Sequence, residues 1–287
     1  MTTVFKREFR AYFQGMTGYL IVALFLLLEG AFLTVMNLIL ANPAFEYSLW
    51  TLSPALVILL PLLAMRSVAG DRRGHTDQLL ASLPLSATEI VLGKYLATLA
   101  VFAIPVVFSG LYALLLLCFG SVNLLSAYAS LFAFLLLGAA LLALCTFLSS
   151  LCRNQAIAAV CGIVALAVLY LFNLLADVLP ATAVVSFIVV IVLVVLVAVL
   201  AGLFSRNLLP AVIAGACGIL PTVLLFVFRQ ELFPNLSRHL LEYISPFNWF
   251  NRFSQYLLFD LKGIIYLISF TALFLFLTVI SVRQKRA

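Results

Sequence analysis

Charge is what this sequence has least of. Asp, Glu, Lys and Arg make up 9% of its 287 residues and apolar residues 66%, where a soluble domain carries about 25% charged residues. A soluble fold needs polar surface to cover its core, and this chain has too little. Lipid must therefore solvate most of it. Catalytic signatures are missing as well: there is no G-x-x-x-x-G-K-[ST] loop to cradle a nucleotide phosphate, no H-E-x-x-H and no G-x-S-x-G. The five cysteines (Cys118, Cys145, Cys152, Cys161, Cys217) form no C-x-x-C pair and have no histidine at ligand spacing, so they read as small packing residues rather than a metal site. No catalytic residue, cofactor, metal or nucleic-acid partner is expected for this chain.

What the sequence does contain is a series of apolar runs. A membrane-spanning helix needs about 20 mostly apolar residues. Eight segments qualify, near 17–40, 52–69, 94–119, 126–151, 155–176, 181–204, 208–228 and 263–282. The predicted fold class is an all-α polytopic membrane protein, with one transmembrane domain over 17–282. The first run exceeds 20 residues, longer than the apolar region of about 7–15 in a secretory signal, so it reads as a retained span.

The basic residues test this layout. With eight spans, one side holds twelve of them: Lys6, Arg7, Arg10, Arg66, Arg72, Arg73, Lys94, Arg153, Arg206, Arg283, Lys285 and Arg286. The other holds only Arg229, Arg238, Arg252 and Lys262. The positive-inside rule makes the richer side cytoplasmic. Both termini are then expected in the cytoplasm, with the chain in a bacterial plasma (inner) membrane. Losing the sixth and seventh spans together would keep the termini on one side, so charge alone also allows six spans. The Val/Ile/Leu run from Val184 to Leu200, with Arg206 after it, favours eight. His75 and His239 fall on opposite sides and cannot share a metal or a proton.

Several segments stand outside these spans. In residues 1–16, Phe5, Phe9, Tyr12 and Phe13 recur at helical spacing with Lys6, Arg7 and Arg10 on other faces, which predicts an amphipathic helix in the headgroup layer. The loop after Arg66 carries a short helix from Thr76 or Asp77 to Leu83, ended by Pro84; Ser86 and Glu89 then form an S-x-x-E capping box. By spacing alone this loop is either a docking surface for a cytosolic partner or a solvated connector. Asn42 to Trp50 reads as an interface turn without chemistry. Residues 229–262 are rich in aromatics and broken by Pro234 and Pro246, with Leu236, Leu240, Leu241 and Ile244 on one face. They read as amphipathic or re-entrant helices, forming either an aromatic belt or a lid. Glu29 is the one carboxylate inside a clear predicted span. It is either a hydrogen-bonded packing group or a functional carboxylate.

Four stretches resemble gliding-motility-type permeases of the ABC type-2 transporter family. They are FKREFRAYFQGMTGYLIVALFLLLEGAF, PLLAMRSVAGDRRGHTDQLLASLPLSATEIVLGKYLA, FLSSLCRNQAIAAV and NRFSQYLLFDLKGIIYLISFTALFLFLTV. The second matches the family pattern at Asp71, Arg72, Arg73, Gly74, Asp77, Leu79, Leu80, Pro84, Ser86, Glu89, Ile90, Gly93 and Lys94; the third at Ser149, Ser150, Asn154 and Gln155. The chain departs from the family's usual six spans around 178–230, where two are added.

The resemblance implies that residues 71–85 are a coupling helix docking into a separate cytosolic ABC ATPase. Its docking residues would be Asp71, Arg72, Arg73, Asp77, Leu79, Leu80 and Leu83, the three leucines filling the groove and Arg72, Arg73 and Asp77 standing at its rim. It also implies that residues 1–16 are an elbow helix. The expected assembly pairs two ATPase subunits with this permease and a second copy or a homologous permease. An auxiliary membrane protein and membrane lipids complete the expected partners. ATP and Mg belong to the ATPase, and this chain is expected to be a non-catalytic subunit. An ATP-driven exporter of a lipidic or amphipathic cargo is the leading expectation. A membrane platform driving an extracytoplasmic partner is the alternative. An ion-coupled secondary transporter would have to lean on Glu29 alone and shows no half-to-half repeat.

Overall fold

The computed structural model describes residues 1–70, 86–119, 122–152, 154–179, 182–205, 216–218, 220–224, 226, 228, 233, 236–256 and 261–284. Among these residues there are helices and no strands. The chain forms two compact units, Met1–Tyr170 with Pro246–Ala287, and Leu171–Ser245. In the first, α1 (Thr2–Gln14) precedes α2 (Met16–Leu33), whose end widens into a π-helical turn, Thr34–Ile39. Then come α3 (Phe45–Leu52), a 3₁₀ turn (Ser53–Ala55) and α4 (Leu56–Ala64), which form one span. Helices α5 (Ala87–Leu116) and α6 (Leu124–Leu151) follow, and α7 (Gln155–Val178) runs past the boundary into the second unit. The second unit holds α8 (Ala183–Ser205) and α9 (Leu236–Ile244), which pack together, with Phe187, Phe226 and Phe233 in ring contact. The first unit resumes with α10 (Pro246–Tyr256) and α11 (Leu261–Gln284).

Six helices among the described residues are long and apolar enough to cross a membrane: Met16–Ile39, Phe45–Ala64, Ala87–Leu116, Leu124–Leu151, Gln155–Ala176 and Leu261–Gln284. Helix α8 covers the predicted sixth span, and most of the predicted seventh lies outside the described residues. Two readings need correction. The second span begins at Phe45, not near Leu52, so the supposed interface turn is largely helix. And the aromatics of 246–256 are not a surface belt. Phe247, Phe250 and Phe253 are buried in the core.

Helix α6 organises the first unit. It packs against α3, α4, α5, α10 and α11, because small residues (Ala127, Ser130, Ala133, Gly138, Ala140, Ala143) punctuate its Leu and Phe positions and let neighbours approach. At its centre Phe134 makes ring contacts with Phe25 of α2 (6.0 Å), Phe102 of α5 (6.2 Å) and Phe250 of α10 (5.4 Å). Gly138, one turn on, gives Phe102 its seat: a Cβ there would stand 2.0 Å from the Phe102 ring. Alanine is the better helix former by about 1 kcal/mol, but forcing a ring out of a packed core costs about 1–3 kcal/mol. Gly138→Ala should therefore lower the thermal unfolding temperature of the purified protein, and Phe102→Leu in the same chain should restore part of the loss. An unchanged or raised melting temperature for Gly138→Ala would show that the ring is not held there.

Candidate functional site

The loop that carries the sequence-predicted docking residues leaves and rejoins the first unit at one end. Asp71, Arg72, Arg73, Asp77, Leu79, Leu80 and Leu83 lie outside the described residues. Both arms of the loop are described, and both are tied down.

Helix α1 lies across this end. Its Phe5, Phe9 and Phe13 form a row, with ring centroids 5.8 and 5.1 Å apart, continued by Tyr19 of α2 at 5.2 Å. That is the i, i+4 periodicity read from the sequence. Tyr12 stands apart from this row. It is buried, donates to the Leu63 carbonyl at 3.0 Å, and lies 3.4 Å from Thr98 Oγ1. Successive turns of α1 meet successive positions of α5. Val4 sits on Gly93, where a Cβ would come within 3.0 Å of the valine side chain. Glu8 meets Lys94, and Tyr12 meets Thr98.

Lys94 is the pivot. It is 4% exposed, its Nζ donates to Glu8 Oε1 at 3.2 Å, and the same ammonium donates to the Ser67 carbonyl at 2.5 Å. A buried ammonium is tolerable only when its charge and its protons are matched. Here the matching groups come from α1 and from the upstream arm of the loop. That arm is held further on. Arg66 bonds Thr17 of α2, the Ala69 amide donates to Ser149 Oγ at 3.1 Å, and Gly70 lies against the Gln155 side chain. The downstream arm closes with the predicted capping box: the Glu89 amide donates to Ser86 Oγ at 3.3 Å and the Ser86 amide to Glu89 Oε2 at 3.1 Å. A polar cavity of about 170 Å³ lies beneath, lined by Glu8, Ala11, Tyr12, Arg66, Gly70 and Gln155. Ser150 also bonds Ser281 of α11 at 3.1 Å, so the last turns of α11 share this end with α1.

Glu29 is fully buried between α2 and α5, where Ser109 Oγ donates to its carboxyl group and Oε1 has no hydrogen-bond partner. It is not alone. Glu46, in the first turn of α3, is a second buried carboxylate within a span, met by the Ser126 hydroxyl. Its backbone carbonyl accepts from Ser254 Oγ at 2.7 Å. Sequence reasoning missed Glu46 because it began that span too late. It missed the Glu8–Lys94 pair because the partners are 86 residues apart. Among the described residues no three or more His, Cys, Asp or Glu side chains gather as metal ligands would.

A family model described as ABC-2 family transporter protein matches residues 12–209. The chain belongs to this family. The matched span is more than half of the chain and contains the loop arms, Lys94 and the Ser149–Gln155 stretch. No curated protein matches the chain. ABC-2 permeases are the membrane components of ABC transporters and generally work with ABC ATPase subunits.

In this ABC-2 permease, removing Glu8 takes the carboxylate from a buried ammonium that still bonds the Ser67 carbonyl, while removing Lys94 leaves a half-buried Glu8 that still pairs with Arg7. Glu8→Gln and Lys94→Met should each destabilise the protein, and a double-mutant cycle should give a coupling of about 1–3 kcal/mol. Thermal or denaturant unfolding of the four proteins measures it. Additive losses would mean that the contact carries no energy of its own.

Proposed function

We propose that this chain is the permease of a bacterial inner-membrane ABC exporter, with both termini cytoplasmic and a separate ATPase docked on residues 71–85. The observation that carries the reading is the double anchoring of that loop. The chain has no phosphate-binding loop of its own, so ATP energy must reach it through a protein contact. A contact transmits force only if its base is stiff. The upstream arm is fixed to α2, α5, α6 and α7, and through Lys94 to Glu8 of α1, while the downstream arm opens α5 through its capping box. Closure of an ATPase pair would then push α1 and the first spans as one body.

The remaining assignments extend the same reading. The Phe5–Phe9–Phe13 row, flanked by Lys6, Arg7 and Arg10, is the elbow that rests in the inner headgroup layer. ATP and Mg sit on the ATPase, two permeases pair, and eight spans form the pathway. Glu29, held by Ser109 between two helices, is a packing group. The gliding-motility-type branch remains our assignment from the four matched stretches, and a lipidic or amphipathic cargo fits the near absence of charge within the spans.

Buried apolar anchors carry most interface energy, while rim charges chiefly steer association. Leu79→Asp with Leu80→Asp should therefore abolish co-purification of the ATPase and its lipid-stimulated hydrolysis while membrane insertion persists; Arg72→Ala should do much less. If the double variant retains both at wild-type level, residues 71–85 are not the docking element.

A further inference from the structure

Glu29 lies in the interior of α2 with no accessible surface, facing α5. Among the described residues no cation pairs with it. One oxygen, Oε2, meets Ser109 Oγ; the other, Oε1, is buried without a hydrogen-bond partner. An ionised carboxylate accepts on both oxygens and is costly to bury with one of them unmatched. The carbonyl oxygen of a neutral acid bears no full charge, and leaving it unmatched costs far less.

The proton count at Ser109 separates the two forms. Its Oγ lies at bonding distance from two oxygens, Glu29 Oε2 and, one turn back on α5, the Pro105 carbonyl at 2.9 Å. A hydroxyl carries one proton. Taken alone, the contact with Glu29 is a donation from Ser109. The Pro105 carbonyl can only accept, however, so an ionised Glu29 would leave two bonds to share a single proton. A neutral Glu29 supplies the second one. We propose that Glu29 is a protonated carboxylic acid at neutral pH, its Oε2–H donating to Ser109 Oγ while the Ser109 hydroxyl donates to the Pro105 carbonyl. The place gives this proton a task. Pro105 interrupts α5 and, lacking an N–H, frees the Val101 carbonyl one turn earlier. Helices kink at such breaks. The Glu29–Ser109–Pro105 chain ties the break to α2, and Tyr112 adds a second tie one turn on, its hydroxyl donating to the Leu26 carbonyl at 3.4 Å. The proposal rests on the packing role given to Glu29 and does not depend on ATP coupling.

Infrared difference spectroscopy reads the proton directly, because a carboxylic acid and a carboxylate absorb in separate regions. With the full-length protein in nanodiscs at neutral pH, wild type minus Glu29→Gln should show a carboxylic-acid carbonyl band that the variant has lost. Ser109→Ala removes the acceptor of the proton without altering Glu29, and should shift the same band. A carboxylate band in place of the acid band would overturn the proposal, as would an acid band that Ser109→Ala leaves unmoved. The Ser109→Ala comparison stands whether or not Glu29→Gln folds. Thermal unfolding keeps the packing role apart from the proton. The amide of Glu29→Gln can donate to Ser109 in the acid's place, so this variant should unfold near the wild-type temperature. A carboxylate band with unchanged unfolding would sink the proton and leave the packing role standing.

Discussion

A single buried ammonium fixes the geometry of one end of this protein. Lys94 cannot reach water, so it must be met by a charge and by an acceptor. Glu8 of α1 and the Ser67 carbonyl supply them. Replacing such a pair by apolar side chains often leaves a protein as stable or more so, so raw stability is a poor reason for it. What the pair does give is register. With Glu8 on Lys94, Val4 must fall on Gly93 and Tyr12 on Thr98, and no other sliding of α1 along α5 satisfies all three. The upstream arm of the loop is caught in the same knot through Ser67, Ala69 and Gly70.

That register links the site to the bundle. Helix α5 carries Lys94 near its start and Phe102 two turns on, which sits in the groove at Gly138 of α6. Helix α6 in turn contacts α3, α4, α10 and α11. A displacement at the loop base therefore meets a close-packed body, since cores of this kind shift between packings rather than deform smoothly. The π-helical turn of α2 is a local exception, at the end remote from the loop.

Much of this was legible in the sequence, for reasons that differ by residue. The six long spans among the described residues were visible because lipid demands uninterrupted apolar runs. The capping box at Ser86 and Glu89 was visible because it is a local bond across three residues. The start of the second span was hidden: Glu46, Tyr47 and Ser48 break the apolar run, yet Glu46 is buried there because Ser126 and the helix N-terminus receive its carboxylate. Tyr12 passed for a member of the aromatic row because spacing does not reveal that its hydroxyl reaches Leu63. Phe247, Phe250 and Phe253 could be read as part of a belt or of a lid, and their burial in the core was hidden, because aromatic composition is the same in a core and at an interface. Lys94 was counted as a topological charge, and nothing near it in sequence announces Glu8.

The central claim is that α1 and the start of α5 move as one piece when the transporter works. Spin labels at Lys6→Cys and Thr88→Cys, in a background without the five native cysteines, report that separation by pulsed electron resonance. The assembled complex would be measured in nucleotide-free and ATP-trapped states. The account predicts one distance distribution, unchanged between the two states. A distribution that shifts or splits on ATP trapping would mean that α1 slides on α5, and that the Glu8–Lys94 register is not what carries the motion.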